Sequence, residues 1–230
     1  MKAIIQFGKT GRLRYISHLD LQRFMQRALR RTGLPVAYSQ GFNPHALLSF
    51  ASALGTGVSS EAELLEVRLA EPVEGETVLS AMRGALPPEM PVCRVRLVED
   101  RFPALMSMVY CAEYRITLTG EGACALCQAV PAFLERETIL AVRKTKSGEK
   151  TVNIRPSTLL LQPEQAQGEG ESALFARLML TPEDTLKPDV LVGALAGLAG
   201  RSDFEARIHR TQLDAKAPDG SIVPLIDWKM

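Results

Sequence analysis

Residues 2–33, KAIIQFGKTGRLRYISHLDLQRFMQRALRRTG, decide the fold of the first half of the chain. The β-branched run at residues 2–8 ends in a glycine and predicts a strand. Ser17 is a good helix N-cap, and Asp20 three residues later gives a variant of the capping box. Apolar residues then recur with a helical period until Gly33, which predicts the end of the helix. This stretch therefore predicts a strand followed by an α-helix.

The rest of the chain repeats this alternation. In the first half, strands are predicted at 47–54, 63–70 and 92–98, and a helix at 74–86. In the second half, strands are predicted at 113–119, 139–144, 151–154, 172–181 and 203–210, and helices at 123–135 and 188–199. The second and third of these later strands are expected to pair as a hairpin around Lys146-Ser147-Gly148-Glu149.

The order β-α-β-β-α-β appears twice, which predicts an α+β fold of two tandem ferredoxin-like units. We place the first unit at residues 1–100 and the second at residues 111–230, joined by a packed connector. A single α+β sheet that spans both halves is the alternative architecture.

Charge is distributed unevenly along the chain. The first fifty residues hold eight basic side chains and one acidic side chain, Asp20, whereas residues 51–230 hold 19 basic and 25 acidic side chains. Such an asymmetry indicates a partner more than a fold. We expect the N-terminal part to meet an anionic partner, which would be nucleic acid, a phosphorylated ligand or an acidic protein surface.

Composition excludes a membrane protein. The apolar fraction of 46% and the charged fraction of 23% are those of an ordinary soluble globular protein. No apolar run approaches the roughly 20 residues of a membrane span. Lys9 and Arg12 interrupt the N-terminal apolar stretch, so it is not expected to be a signal peptide. We therefore expect a cytoplasmic protein with reduced cysteines.

The predicted first helix carries a basic face. Arg23, Arg27 and Arg30 follow one another at helical spacing opposite the apolar stripe. Like charges at this spacing repel, so helix stability does not explain them. Arginine matches phosphate bidentately, which favours a phosphate-binding face. A solvated face paired with acids from the other half is the alternative.

Aromatic side chains accompany these charges. Tyr15 and Phe42 lie at the ends of predicted turn segments, where a ring can stack on a nucleic-acid base. The candidate ligand-binding residues are Lys9, Arg12, Arg14, Tyr15, Arg23, Arg27, Arg30, Arg31, Phe42, Asn43 and His45.

Two histidines are candidate general bases. At the helix N-terminus the helix dipole favours a neutral His18, which could deprotonate a ribose hydroxyl. We favour the alternative that the His18 ring packs at the edge of the apolar face. His45 lies in the turn-rich stretch Gly41-Phe42-Asn43-Pro44-His45, and loop residues are more often functional than core residues. No residue is assigned as catalytic.

Other chemistry is not expected. The stretch Gly8-Lys9-Thr10-Gly11-Arg12 lacks the spacing of a nucleotide-hydrolysing phosphate loop. Cys124-x-x-Cys127 lies in a predicted helix without a second cysteine or histidine pair, so it predicts neither a zinc nor an iron–sulfur site. We interpret both cysteines as small buried residues, and we predict no metal and no cofactor.

Several motifs carry a family resemblance. They are Lys9-Thr10-Gly11, Arg14-Tyr15-Ile16-Ser17-His18-Leu19-Asp20, Arg27-Ala28-Leu29-Arg30-Arg31, Leu34-Pro35, Tyr38-Ser39, Gly41-Phe42-Asn43-Pro44-His45, Leu48-Ser49-Phe50, Gly57-Val58, Ser60-x-x-Glu63 and Asn153-Ile154-Arg155-Pro156. With them the chain resembles the bacterial radical-SAM-linked domain of unknown function, in its free-standing form. It departs from that pattern at Ala46 and at residues 51–54.

The resemblance implies an association with radical SAM chemistry in RNA modification or processing, without an established activity. This chain has no radical SAM core of its own, so a radical SAM enzyme would be a separate partner. A looser architectural resemblance is to the tandem ferredoxin-like CRISPR repeat-processing endonucleases, although their glycine-rich loop is not evident here.

Three functions remain open. The favoured one is a non-catalytic accessory module that binds RNA or a phosphorylated ligand for a separate enzyme. The second is a metal-independent ribonuclease that uses His18 or His45, with arginines stabilising the phosphorane. The third is an adaptor that docks an acidic protein. We favour the binding module because the sequence shows no complete acid–base set.

Overall fold

The computed structural model describes residues 1–145 and 148–229. The protein is a mixed α+β protein with a mostly antiparallel sheet and several helices. It divides into two compact units. Unit 1 comprises Met1–Val109 together with the residues from Gln212 onward, and unit 2 comprises Tyr110–Thr211. The segment from Gln212 onward thus belongs to unit 1, whereas the sequence analysis assigned it to the second unit.

The elements up to Val109 are β1 (Lys2–Lys9), a first 3₁₀ helix (Gly11–Tyr15), α1 (His18–Thr32), β2 (Leu48–Phe50), β3 (Ser59–Arg68), α2 (Gly75–Ala85), β4 (Val92–Val98) and α3 (Leu105–Met108). Those that follow are β5 (Cys111–Thr119), α4 (Ala123–Gln128), α5 (Val130–Glu135), β6 (Leu140–Thr145), β7 (Gly148–Asn153), β8 (Thr158–Glu164), β9 (Ser172–Met179), α6 (Pro188–Ala199), β10 (Glu205–Lys216), β11 (Ile222–Pro224) and a second 3₁₀ helix (Leu225–Asp227).

In unit 1, β1 is the central strand. It pairs antiparallel with β3 on one side and with β4 on the other, and β2 pairs antiparallel with β3. Alternate residues of β1, namely Ala3, Ile5 and Phe7, pack with the buried residues of α1 and α2. The two helices therefore cover one face of this sheet.

The caps of α1 are those that the sequence predicts. The Ser17 hydroxyl accepts a hydrogen bond from the backbone N–H of Asp20 and donates one to the Asp20 carboxylate. Gly33 ends the helix in the left-handed conformation, with φ of 69°. Both signals are local in sequence, and the predicted helix is confirmed.

In unit 2 the strands follow the order β10-β5-β9-β8, with antiparallel pairing on both sides of β9. The sequence analysis missed β8. The predicted hairpin exists as β6 paired with β7, but it forms a separate two-stranded sheet. The sequence analysis counted both strands in the second β-α-β-β-α-β unit, whereas the structure places them outside the main sheet.

The helix predicted at 123–135 is broken. It ends as α4 at Gln128 and resumes as α5 at Val130, with Pro131 in the first turn of α5. Proline has no N–H to bond to the carbonyl four residues back, so a continuous helix would lose that bond here.

Lys146 and Ser147, in the predicted hairpin turn, lie outside the described residues. Within the described residues, none of the helices combines the length and the apolar character needed to cross a membrane.

Candidate nucleic-acid interface

The outer face of α1 is basic, as its sequence predicts. Arg23, Arg27 and Arg30 are exposed on the side opposite the buried Leu21 and Met25. Arg23 forms an ion pair with Asp20, with 3.5 Å between their nitrogen and oxygen atoms.

The other two arginines of this face differ from Arg23. Within the described part of the chain, Arg27 and Arg30 make no hydrogen bond and no ion pair. Their guanidinium groups are thus available to an anionic ligand.

The exposed residues of this face include one that sequence analysis missed. Leu19 lies four residues before Arg23 and its side chain is 63% exposed. Leu19 lies two residues before Leu21 and therefore outside the apolar stripe of α1. This position in the sequence was the signal that its side chain is exposed. Leu19 extends the arginine face with an apolar contact at the start of α1.

The 3₁₀ helix before α1 presents an aromatic ring. The Tyr15 side chain is 59% exposed. The guanidinium group of Arg14 lies 4.7 Å from the centre of the Tyr15 ring and donates a hydrogen bond to its hydroxyl. The backbone N–H of Gly57 donates to the carbonyl of Arg14, which fixes this segment to the body of unit 1. Arg12, on the same 3₁₀ helix, is exposed and has no partner among the described residues.

The structure corrects the surface placement of Lys9. Its side chain is fully buried on β1, where Lys9 pairs with the buried Ser60 of β3. The Lys9 ammonium group donates a hydrogen bond of 3.1 Å to the carbonyl of Ile16. Glu63 is also buried, opposite Phe7. Lys9 thus anchors the link between the 3₁₀ helix and α1 from inside.

Arg31 also has a structural contact. Its guanidinium group donates a 3.0 Å hydrogen bond to the carbonyl of Ala85, the last residue of α2. A cation at a helix C-terminus is favourable for the helix dipole. Arg31 therefore ties α1 to α2, which leaves it less available to a ligand than Arg27 and Arg30.

The loop that holds Phe42, Asn43 and His45 is closed by Ser39. The Ser39 hydroxyl lies 2.9 Å from Nδ1 of His45 and accepts a hydrogen bond from the His45 backbone N–H. The backbone N–H of Ser39 in turn donates to the His45 carbonyl. Gly41 has φ of 122°, so the turn uses a conformation that favours glycine. Phe42 is fully exposed within this loop.

His18 packs on the helix-covered side of the sheet. Its ring meets that of Phe50 edge-on at 5.1 Å, and Phe50 belongs to the core with Phe7. Nδ1 of His18 is buried and has no hydrogen-bond partner among the described residues.

His45 has different surroundings. It lines a cleft of about 280 Å³ with Lys2, Glu66 and Arg68. The strand neighbours of these three, including Ala3 and Val67, pack on the helices, so the three side chains lie on the other face of the sheet. Nothing in this arrangement pairs His18 with His45 as acid and base.

The C-x-x-C pair is less buried than its sequence suggests. Cys124 is exposed, which corrects the interpretation of two buried residues, and Cys127 is half-buried. Burial and the nearby Cys124 raise the pKa of the Cys127 thiol. Within residues 1–145 and 148–229, no three His, Cys, Asp or Glu side chains are grouped as metal ligands.

Comparison with known proteins gives a family and a fold. Residues 2–188 match the model of a family described as "Uncharacterized protein conserved in bacteria (DUF2344)". No protein of curated function matches. Among solved structures, a chain of the crystal structure of a Cbf5-Nop10-Gar1 complex is similar, with a TM-score of 0.50 and 10% identity over 92% of this chain. The match covers 48% of that solved chain, so the present chain spans about half its length. At this identity the likeness concerns the fold alone.

Proposed function

This chain belongs to that uncharacterized bacterial family, and we propose that it is a non-catalytic RNA-binding module that acts in the cytoplasm with a separate enzyme. The observation that carries the proposal is a set of exposed arginines without protein partners among the described residues, in a unit that also exposes two aromatic rings. The motif resemblance to the radical-SAM-linked domain makes a radical SAM enzyme the proposed partner.

The arginines supply the phosphate contacts. Arg12, Arg27 and Arg30 are exposed and unpaired within the described residues. Binding them to phosphates breaks no ion pair of the protein and releases counterions from the RNA. Each planar guanidinium group can hold a phosphate through two hydrogen bonds.

The aromatic side chains supply the base contacts. Tyr15 is held by Arg14, so stacking a base on it costs little side-chain entropy. Phe42, in the Ser39-closed loop, offers a second ring that no protein surface covers. Bases of single-stranded RNA stack on such rings with little dependence on sequence. We therefore propose single-stranded or looped RNA as the ligand class.

The separation of the histidines supports binding without cleavage. A ribonuclease of this kind needs a base and an acid near one phosphate. His18 packs on Phe50, whereas His45 lines the Lys2 cleft on the other face of the sheet. The arginine face of α1 therefore has no acid–base pair from these two residues.

The proposed architecture is a pair of ferredoxin-like units. Unit 1 places β4, β1, β3 and β2 in this order, and unit 2 gives the order β10-β5-β9-β8. Each has two helical connections, and the β6–β7 hairpin would be an insertion in the second unit.

The test is RNA binding by a matched pair of double variants. Arg27→Ala/Arg30→Ala removes two unpaired charges from α1. Arg101→Ala/Arg201→Ala removes the same charge from arginines that pair with Glu99 and Asp203. With total bacterial RNA as ligand, we expect the first variant to lose at least about tenfold in affinity and the second less than about twofold.

Three other outcomes would contradict the proposed binding site or favour another function. Equal affinity of the two variants would contradict the α1 surface as the binding site. RNA fragments that vanish in His18→Ala or His45→Ala would favour the ribonuclease. An absence of RNA binding at low salt would favour an acidic protein as the partner of the basic face.

A further inference from the structure

A large groove lies within unit 2, far along the chain from the basic N-terminal motifs. Its volume is about 1070 Å³, and its two walls are α6 and the β6–β7 hairpin. This is at the upper end of the range for small-molecule pockets, so the groove can hold a larger segment.

One wall is the outer face of α6. Leu191, Val192 and Leu195 point into the core of unit 2 and are buried. The opposite face carries no charge after its first turn and lines the groove with Val190, Gly193, Ala194, Gly197 and Leu198. A helix that is apolar all round is normally covered on every side. We therefore expect another molecular surface to cover this face of α6.

The glycines of α6 leave room for a close neighbour. Gly193 and Gly197 are one helical turn apart, and a Cβ at either position would meet no atom within 4 Å. Small residues at this spacing let another backbone approach closely, since side chains do not hold it away.

The second wall also exposes apolar side chains. Leu140 is 66% exposed and Val142 is 57% exposed, and both line the groove from β6. A two-stranded hairpin that belongs to no larger sheet gains little stability from its own pairing. An occupant that covers these two residues and α6 together would bury apolar surface on both walls.

Charge determines which occupant fits. Residues 136–155 hold six basic and two acidic side chains within a half that is acidic as a whole. Arg136 and Lys150 line the groove from this segment. Glu183, Asp184, Lys187 and Asp189 line the groove from the segment before α6 and from its first turn, and Asp184 accepts a hydrogen bond from the Ser157 hydroxyl. The hairpin side of the groove therefore favours an acidic flank.

We propose that this groove docks an amphipathic α-helix of a partner protein. The apolar face of that helix packs on Gly193, Gly197, Leu140 and Val142, and its acidic flank faces Arg136 and Lys150. Recognition of this kind uses apolar residues at helical spacing, with charges that set the orientation. It is independent of RNA binding by unit 1.

The test uses designed peptides and the full chain. The probe is a fluorescent 18-residue helical peptide with leucines at i, i+3, i+4 and i+7 and glutamates on one flank. A second peptide has lysine in place of every glutamate. We expect the glutamate peptide to bind with a Kd below about 100 μM, and the lysine peptide to bind at least about tenfold more weakly.

Substitutions then locate the site. Gly193→Leu places a side chain in the groove and should weaken binding of the glutamate peptide at least about tenfold. Gly84→Leu changes another open helical glycine, in α2, and should leave the affinity for this peptide unchanged. Lys150→Glu should reduce the difference in binding affinity between the glutamate peptide and the lysine peptide. Leucine is a better helix former than glycine, so neither glycine variant is expected to lower the thermal unfolding midpoint.

Three results would overturn the proposal. They are no binding of the glutamate peptide at about 100 μM, equal affinity in the Gly193→Leu and Gly84→Leu variants, and binding of the lysine peptide at least as tight as that of the glutamate peptide. Loss of RNA binding in Gly193→Leu with peptide binding unchanged would assign the groove to nucleic acid instead.

Discussion

The Arg14 guanidinium group donates a 2.7 Å hydrogen bond to the Tyr15 hydroxyl and lies 4.7 Å from the centre of the same ring. Both contacts act on a side chain that is 59% exposed. An exposed tyrosine normally samples several rotamers, and these contacts restrict it. The Tyr15 ring is therefore held in place as a stacking surface for a flat ligand, on the same 3₁₀ helix as the exposed Arg12.

Substitution of Tyr15 tests its role in stacking. Tyr15→Ala should weaken binding of a uridine 12-mer by about 1–3 kcal/mol, because one base loses its stacking partner. Tyr15→Phe keeps the ring and its contact with the Arg14 guanidinium group and loses only the hydrogen bond from Arg14, so its affinity should fall less. Fluorescence anisotropy with the two variants measures both values. Equal losses in the two variants would contradict stacking and assign the effect to the hydroxyl.

Lys9 should affect stability and not the RNA contact itself. Lys9→Met keeps an unbranched side chain of similar length but removes the donor to the Ile16 carbonyl. The half-buried Ile16 carbonyl then loses its donor, which should lower the free energy of unfolding by about 1–3 kcal/mol. Urea unfolding measures this change.

The matched measurement for Lys9 is RNA affinity in the absence of urea, where the variant is still folded. There Lys9→Met should bind RNA within about twofold of the unmodified chain, because the ammonium group is fully buried. A tenfold loss of RNA affinity without a loss of stability would show that Lys9 contacts the RNA.

Glu164 should make part of the stability of unit 2 depend on pH. Hydrogen bonds of 2.8 and 3.0 Å from Arg115 lower the pKa of the Glu164 carboxyl. A carboxyl whose pKa is lowered by folding stabilises the protein above its unfolded pKa of about 4.3, and this contribution is lost as pH falls through the lower folded pKa.

The check is the unfolding free energy between about pH 6 and pH 3. Glu164→Gln should be less stable at the upper end and should converge with the unmodified chain at the lower end. Both partners are about a third exposed, so the difference should stay below about 1 kcal/mol. A constant difference at every pH would show that the ion pair is not its source.

Local signals explain which parts of the fold the sequence predicts. Ser17, Asp20 and Gly33 act within one or two turns of the residues that they cap, and α1 follows from them. The strand β8 was missed because its segment, TLLLQPE, lacks alternation and contains Pro163, a residue that argues against a strand, and its pairing partner β9 lies further along the chain. The separation of the β6–β7 hairpin from the main sheet likewise depends on tertiary packing.

In the candidate site, too, only features that depend on local sequence could be predicted. Helical spacing places Arg23, Arg27 and Arg30 on one face from sequence alone. That Arg31 bonds to Ala85 depends on how α2 packs on α1, and no local pattern contains it. The burial of Lys9 depends in the same way on its pairing with Ser60, fifty-one residues away in the chain.

The most direct test of RNA binding is its dependence on salt. For single-stranded RNA, the logarithm of the association constant falls with the logarithm of salt concentration by about 0.7 for each phosphate contact. The Arg27→Ala/Arg30→Ala variant should therefore show a slope that is shallower by about 1.4 than that of the unmodified chain. An unchanged slope, with RNA still bound, would contradict the account that these two arginines hold phosphates.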